Sequence, residues 1–195
     1  MARSKVALDN IRVSSSGQKL LRFLIDYMKG NEILDIGAGD CRIALAFGEA
    51  EYSVTAIDKK FFLNNSIFAR TQVLKNFGKF ELIEGDLFNL NIEKNFDGII
   101  LMGVLHYFSE DSQTQTLIEQ IMNWLKPGGV VVLTWILTTQ PSREVQYYPS
   151  LEYVQGISQE VGLKVATSWI TKVHHKDQHG PHNHDLAYLV LERAV

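Results

Sequence analysis

The stretch Glu32–Asp40 reads EILDIGAGD, a short β-rich run followed at once by a glycine-rich turn. Glycines let the backbone turn sharply and approach a ligand closely. A helical pattern begins near Arg42, and the exposed amides at its start favour a carboxylate or a phosphate. Because ligands bind at the carboxyl ends of the strands in open α/β sheets, the stretch predicts a strand–turn–helix unit with a ligand site at the turn.

Strand and helix patterns alternate along the rest of the chain, which is typical of βαβ units and a mainly parallel sheet. Continuous apolar runs such as Ile99–Leu101 suit strands covered on both faces. Periodicity predicts helices over Gln18–Lys29, Arg42–Gly48, Phe61–Phe77, Asp111–Leu125 and Leu151–Val161, and strands over Glu32–Ile36, Tyr52–Ile57, Phe80–Glu84, Phe96–Met102 and Val130–Trp135.

The two ends of the chain differ from this alternation. Two β-rich segments, Leu163–Val173 and Leu186–Glu192, have no helix between them, so residues 163–195 are predicted to form an antiparallel hairpin. The polar stretch His174–Asp185 joins the two segments. Residues 1–17 are predicted to be a flexible lead-in, either a disordered terminus or a lid over the ligand.

Size and charge narrow the class of protein. The 195 residues suit a single domain over 1–195, and the net charge of −3 without a run of Lys or Arg argues against a nucleic-acid partner. Apolar stretches are only about a strand long, so no membrane span is predicted. The single cysteine, Cys41, excludes an internal disulfide, and together these features favour the cytoplasm. The oligomeric state is left open.

Two adenosine-containing ligands compete for the glycine turn. A dinucleotide fingerprint, GxGxxG, would place its third glycine at position 42, where this chain has Arg42, and that counts against NAD. Asp58 ends the second strand about twenty residues beyond the glycines, where a carboxylate can accept both ribose hydroxyls of either ligand. The alternative role for Asp58 is the N-cap of the helix beginning near Phe61.

Three further segments follow strand ends. Asp86 and Leu87 come just after the third strand and could meet an adenine, although Gly-Asp is also a common turn pair. The fourth strand runs out through Met102 to His106. The turn Leu125-Lys-Pro-Gly-Gly129 precedes the fifth strand.

In order and spacing, these segments from Glu32 to Trp135 resemble the class I S-adenosylmethionine-dependent methyltransferases. The resemblance implies a doubly wound, Rossmann-like α/β fold whose seven-stranded, mainly parallel sheet has an antiparallel C-terminal strand. A looser similarity is to the small tellurite-resistance-type methyltransferases. Many members of the larger family have a third glycine where this chain has Cys41.

The resemblance also implies S-adenosylmethionine as cofactor and assigns its contacts. Gly37 and Gly39 would line the methionine end, with the Met102 backbone near the amino group. Asp58 would hold the ribose, and Asp86 and Leu87 the adenine. Asp35, within the glycine motif, and Lys59, beside Asp58, complete the cofactor-binding set.

The acceptor side is less determined by the sequence. His106 follows the fourth strand, where the methyl group should point, and is either a general base or a packed loop histidine. Tyr107 is a candidate acceptor contact. Family members that methylate nucleic-acid amino groups carry an Asn/Asp-Pro-Pro-aromatic motif where this chain has Met102-Gly-Val-Leu105, so base N-methylation is not expected.

Five of the six histidines lie between His174 and His184. His182 and His184 would share one face of a strand, and His179 could reach them across the Gly180-Pro181 turn. Three roles stay open: a wall of the acceptor site, a metal site with Asp177 or Asp185, and a solvated loop. The spacing fits no closed zinc pattern, so no metal is assigned.

The sequence therefore predicts an enzyme that transfers a methyl group from S-adenosylmethionine to a small-molecule acceptor by direct displacement. An NAD-dependent oxidoreductase and a non-catalytic adenosyl-ligand-binding module are the alternatives. The acceptor atom, whether oxygen, nitrogen, sulfur or metalloid, is left open.

Overall fold

A computed structural model describes residues 6, 8, 11, 13–140, 147–177 and 180–195. Within these ranges the helices are α1 (Ser15–Tyr27), α2 (Arg42–Glu49), α3 (Asn65–Asn76), α4 (Asp111–Trp124) and α5 (Leu151–Glu160). The strands are β1 (Glu32–Ile36), β2 (Ser53–Asp58), β3 (Phe80–Glu84), β4 (Phe96–Met102), β5 (Leu125–Gln140), β6 (Leu163–Asp177) and β7 (Gly180–Arg193).

The seven strands form one sheet in the order β3-β2-β1-β4-β5-β7-β6. Strands β1 to β5 pair in parallel, and β7 runs antiparallel to both β5 and β6. The predicted doubly wound α/β fold with an antiparallel C-terminal strand is confirmed. The strand order reverses between β1 and β4, so the carboxyl ends of these two strands flank the crevice where such folds bind ligands.

Two apolar clusters cover the two faces of the sheet. Helices α4 and α5 pack on one face against residues such as Leu34, Ile99 and Leu133. Helices α1 and α2 pack on the other face against residues such as Ile33, Ile100 and Val132. Burial on both faces explains why these strands read as continuous apolar runs. Among the described residues, no helix is long and apolar enough to cross a membrane.

The helix starts differ from the predicted ones because polar side chains cap them. Helix α1 begins at Ser15 rather than Gln18, since the Ser14 side chain accepts a hydrogen bond from the Gly17 amide. Residues 15–17 therefore belong to the helix and not to the lead-in. Helix α3 begins at Asn65 rather than Phe61, and the Asn64 side chain caps it. The interpretation of Asp58 as the cap of this helix is therefore wrong.

The lead-in is anchored at two of its described residues. Leu8 and Ile11 are buried in the cluster on the α1 face. The Gln18 side chain donates a hydrogen bond to the Leu8 carbonyl. Whether the segment acts as a lid stays a prediction.

The last three strands are longer than predicted, and this changes the interpretation of the histidine-rich segment. Strands β6 and β7 pair as far as Asp177 and Gly180, and β7 also pairs with β5 as far as Gln140. Residues 174–177 and 180–185 are therefore in strands and not in a solvated loop, and residues 178 and 179 lie outside the described part. Backbone pairing on both sides of β7 stabilises this projecting extension in spite of its polar side chains.

Candidate functional site

A cavity of about 570 Å³ opens at the carboxyl ends of β1 and β4. It is lined by four of the residues singled out in the sequence, Asp35, Gly37, Gly39 and Met102. Val13, Ala38, Asp40, Arg42, Ile43 and Phe62 complete the lining. The structure thus brings the glycine turn and the end of the fourth strand together around one space.

The shape of the turn depends on left-handed backbone conformations. Gly37 and Gly39 have φ angles of +70° and +53°. A Cβ on Gly37 would lie 2.4 Å from Cγ2 of Val104, which is two residues beyond the end of β4, so a larger residue here would force a shift of the Val104 side chain. Cys41, at the start of α2, also has a positive φ of 60°, which is consistent with the glycine that many family members carry there. Its side chain is fully buried.

Asp58 is joined to the glycine turn by a direct hydrogen bond. Its Oδ2 accepts the Gly39 amide at 2.8 Å, and its Oδ1 accepts the Lys60 amide at 3.0 Å. The Asp58 carbonyl also accepts the Gly85 amide at 2.9 Å. The carboxylate therefore lies between the glycine turn and the segment that follows β3.

Asp86 and Lys59 meet where β3 and β2 end. The Lys59 ammonium lies 3.0 Å from Oδ2 of Asp86, and Oδ1 of Asp86 accepts the Phe88 amide at 3.1 Å. The hydrogen bond from Lys59, followed by that from the Phe88 amide, lowers the pKa of the Asp86 carboxyl. Leu87 is buried in the short 3-10 helix Leu87–Asn89 that follows. Neither Asp86 nor Lys59 lines the cavity.

Asp35 is a buried carboxylate at the floor of the cavity. Its Oδ2 has no hydrogen-bond partner in the part of the chain that the structure describes. Burial is the largest cause that raises the pKa of Asp35 to about 7; a hydrogen bond from the Ala44 backbone opposes this rise, and the neighbouring Asp58 and Asp40 carboxylates add to it. A buried, unpartnered oxygen facing a cavity is suited to a cationic hydrogen-bond donor.

His106 stands next to the same strand end. It lies in the short 3-10 helix Leu105–Tyr107, and its ring packs near Gly103, which immediately follows the cavity residue Met102. Its Nδ1 is buried without a hydrogen-bond partner among the described residues. Burial, with a smaller contribution from His184, lowers the pKa of His106 to about 4, so the ring is neutral at pH 7.

The histidine-rich segment is divided between the two faces of the extension. His182 and His184 share one face, with ring centroids 4.5 Å apart, as the sequence predicted. His174 pairs with Asn183, so side-chain alternation places it on the opposite face. There it lines a separate polar cavity of about 310 Å³ with Lys172, Asn183 and Asp185.

Three other candidate residues of this segment have no described side chain. His179 is outside the described residues, and the side chains of His175 and Asp177 are not described. Within the described part of the chain, no group of three or more His, Cys, Asp or Glu side chains could hold a metal ion.

Tyr107 contacts the ring of His106. The two ring centroids are 4.4 Å apart, and Tyr107 is 81% exposed. His106 and Tyr107 follow the cavity residue Met102 along the chain, and His184 interacts electrostatically with His106, but none of the three lines the cavity. Sequence reasoning missed Phe62, which lines the cavity and is 68% exposed. The Phe62 amide donates a hydrogen bond to the Gly39 carbonyl at 3.0 Å. No sequence pattern predicts this contact.

Comparison with known proteins gives a family and a fold. A family model described as "Methyltransferase domain" matches residues 33–129, which contain the glycine turn, Asp58, Asp86 and Met102. A ubiquinone biosynthesis O-methyltransferase of Rickettsia akari is 25% identical over 76% of this chain, and the match covers 57% of that relative. The chain spans about half the length of the ubiquinone O-methyltransferases that it matches.

Solved structures share the fold over most of the chain. The N-methyltransferase NodS of Bradyrhizobium japonicum, in complex with S-adenosylhomocysteine, superposes with a TM-score of 0.68 at 20% identity, covering 95% of this chain and 90% of that one. TehB of Haemophilus influenzae superposes with a TM-score of 0.69 at 15% identity, covering 90% of this chain and 61% of that one. At these identities the likenesses show the fold.

Proposed function

Because the chain belongs to the class I S-adenosylmethionine-dependent methyltransferases, we propose that it transfers the methyl group of this cofactor to a small-molecule acceptor. The observation that carries the proposal is the cavity in which Asp35, Gly37, Gly39 and Met102 meet, with Asp58 bonded to its glycine turn. The methyl group of a sulfonium is readily displaced by a nucleophile. The residues therefore have to bind the cofactor and the acceptor, align the two for the displacement, and exclude water.

The lining suits the methionine part of the cofactor. The unpartnered Oδ2 of Asp35 can accept a hydrogen bond from the ammonium group, which would also hold that carboxyl in its charged form. Gly37 and Gly39 leave room for close approach, because neither has a side chain and the φ angles of both favour glycine. The Met102 backbone lies at the end of β4 beside the same space.

The adenosine part would follow β2 and β3. Asp58 would accept the ribose hydroxyls, and the segment Asp86–Leu87, joined to Asp58 through the Gly85 amide, would meet the adenine. Lys59 would act indirectly, by holding Asp86 through their ion pair. This ordering follows the sheet from β1 through β2 to β3.

The acceptor would lie beyond Met102, bounded by His106, Tyr107, His184 and His182. Support comes from the ring contacts that join these residues in two pairs and from the interaction between His184 and His106. The relatives named as methylating small molecules include ubiquinone O-methyltransferases and a magnesium protoporphyrin IX methyltransferase. This chain's acceptor is proposed to be a small molecule as well.

The proposal is tested by calorimetric titration of the wild-type protein with S-adenosylmethionine, S-adenosylhomocysteine and NAD. We expect the two adenosyl ligands to bind in the micromolar range and NAD not to bind. A preference for NAD would favour an oxidoreductase instead. Adenosyl binding without methyl transfer to any member of a broad panel of hydroxyl, amine and thiol acceptors would favour a non-catalytic binding module.

A further inference from the structure

An exposed aromatic ring stands where the acceptor should enter. Tyr107 is 81% exposed, and it ends the short 3-10 helix Leu105–Tyr107 that comes soon after the end of β4 at Met102. Its neighbours Leu105 and Phe108 are both buried, so the backbone that carries Tyr107 is anchored on both sides. A large ring whose backbone is held in place offers a flat face on which an aromatic ligand can stack.

Two pairs of aromatic rings, one of which contains Tyr107, are linked by an electrostatic interaction. Tyr107 packs on His106 at a centroid distance of 4.4 Å and an interplanar angle of 37°. His184 of β7 interacts with His106 from the neighbouring strand extension and contacts His182 edge to face at 4.5 Å. One phenol and three imidazoles are therefore linked through His106, which lies four residues beyond the end of β4 at the cavity residue Met102.

The polar groups of this cluster match a hydroxyl. The Nδ1 of His106 is buried and has no partner among the residues described. A neutral imidazole can accept a hydrogen bond through one ring nitrogen and donate one through the other. An acceptor that offers both a flat ring and a hydroxyl would satisfy the stacking surface and the imidazole together.

On this basis, we propose that the acceptor is a planar aromatic compound bearing a hydroxyl group, stacked on Tyr107 with the hydroxyl directed to His106. This inference rests on the proposed function. The hydroxyl oxygen forms a bond to the methyl carbon as the sulfur–methyl bond breaks, and the electron pair of that bond stays on sulfur, which leaves S-adenosylhomocysteine. The hydroxyl proton passes to the His106 imidazole.

A weak base is sufficient for that proton. As the carbon–oxygen bond forms, positive charge develops on the hydroxyl oxygen and its proton becomes strongly acidic. His106 therefore needs to be neutral and well placed rather than strongly basic. Its burial beside Gly103 and His184 provides both conditions.

The experiment uses catechol and trans-1,2-cyclohexanediol as a matched aromatic and aliphatic pair. Binding of each to the full chain loaded with S-adenosylhomocysteine is measured by saturation-transfer NMR, and methylation of each with S-adenosylmethionine is measured by mass spectrometry. We expect catechol to bind more tightly and to yield a monomethyl ether. Equal binding of the two diols, or binding of neither, would overturn the proposal.

Variants locate the stacking surface. Tyr107→Ala should weaken catechol binding by roughly 2- to 12-fold, the range for an aromatic pair, and Tyr107→Phe should retain it. Tyr27→Ala, at an exposed tyrosine on α1, is the matched control and should leave catechol binding unchanged. Unchanged catechol binding in Tyr107→Ala would remove Tyr107 from the site. Failure of wild-type protein to bind S-adenosylhomocysteine would instead reject the proposed function.

Discussion

Oδ2 of Asp58 accepts the backbone amide of Gly39 at 2.8 Å, so the carboxylate at the end of β2 is bonded to the turn that follows β1. The two residues are 19 positions apart, and the parallel pairing of β1 with β2 brings them together. One carboxylate thus shapes the glycine turn and, under the proposed function, would also accept the ribose hydroxyls on the same edge of the sheet. A change at Asp58 should affect both roles.

Asp58→Ala is expected to weaken S-adenosylhomocysteine binding by about 10- to 150-fold, the range for losing hydrogen bonds to a charged group. Titration calorimetry measures the change. Asp26→Ala, an exposed carboxylate on α1, is the control and should bind as the wild type does. If Asp58→Ala kept wild-type affinity, Asp58 would be a structural residue of the turn only.

The sequence was sufficient for the parts of the fold that depend on apolar runs and glycine turns. Strands β1 and β4 match their predicted bounds because burial on both faces leaves an unbroken apolar signal. The extension of β6 and β7 was missed because its polar side chains give no apolar strand pattern in the sequence. It depends instead on backbone hydrogen bonds between β6 and β7 and between β7 and β5. Phe62 was missed because its position depends on a tertiary hydrogen bond to Gly39.

Asp35 should make cofactor affinity depend on pH. Its pKa of about 7 means that the carboxyl is largely protonated at pH 6 and largely charged at pH 8. Only the charged form pairs with the ammonium group, so S-adenosylhomocysteine should bind more tightly as pH rises from 6 to 8. Calorimetry across this range should show the trend in wild type and a flatter profile in Asp35→Asn.

The same carboxyl should also make the folded state less stable as pH rises. A pKa raised on folding means that the folded state holds the proton more tightly, so this group's contribution to stability is lost as pH rises from about 4 to 7. Asp35→Asn should therefore be more stable than wild type at pH 8, by an amount on the order of 1–4 kcal/mol. Urea unfolding at pH 5 and pH 8 checks this, and an equal difference at both values would contradict it.

His106 gives the opposite stability trend at lower pH. Its folded pKa of about 4 lies below its ordinary value of 6.5, so the unfolded state binds the proton more readily between these values. Wild-type stability should fall as pH decreases from 6.5 to 4, and His106→Gln should reduce that slope. The ring titration itself can be followed by NMR of carbon-13-labelled histidine, where a midpoint near 6.5 would refute the buried, neutral assignment.

Phe62 should contribute to cofactor binding through its exposed ring. The ring lines the cavity, and the amide of Phe62 is held by the Gly39 carbonyl at 3.0 Å, so its location is tied to the glycine turn. Phe62→Ala should weaken S-adenosylhomocysteine binding by roughly 5- to 100-fold, the effect expected if the ring packs on the adenosyl group. Phe77→Ala is the matched control, because the Phe77 ring is 71% exposed and does not line the cavity. This control should bind S-adenosylhomocysteine as the wild type does. Equal affinity in the two variants would show that Phe62 makes no contact with the cofactor.

Gly37 offers a test in which two physical effects can be separated. A Cβ at this position would lie 2.4 Å from Cγ2 of Val104, and the φ angle of +70° is itself unfavourable for alanine. Gly37→Ala should destabilise the fold by about 2–5 kcal/mol, the sum of the overpacking cost and the left-handed backbone cost. The double variant Gly37→Ala with Val104→Ala removes the clash but retains the backbone strain. It should therefore recover only part of the loss relative to Val104→Ala alone, as measured by urea unfolding. Full recovery would mean that the turn tolerates alanine and that packing against Val104 alone requires the glycine.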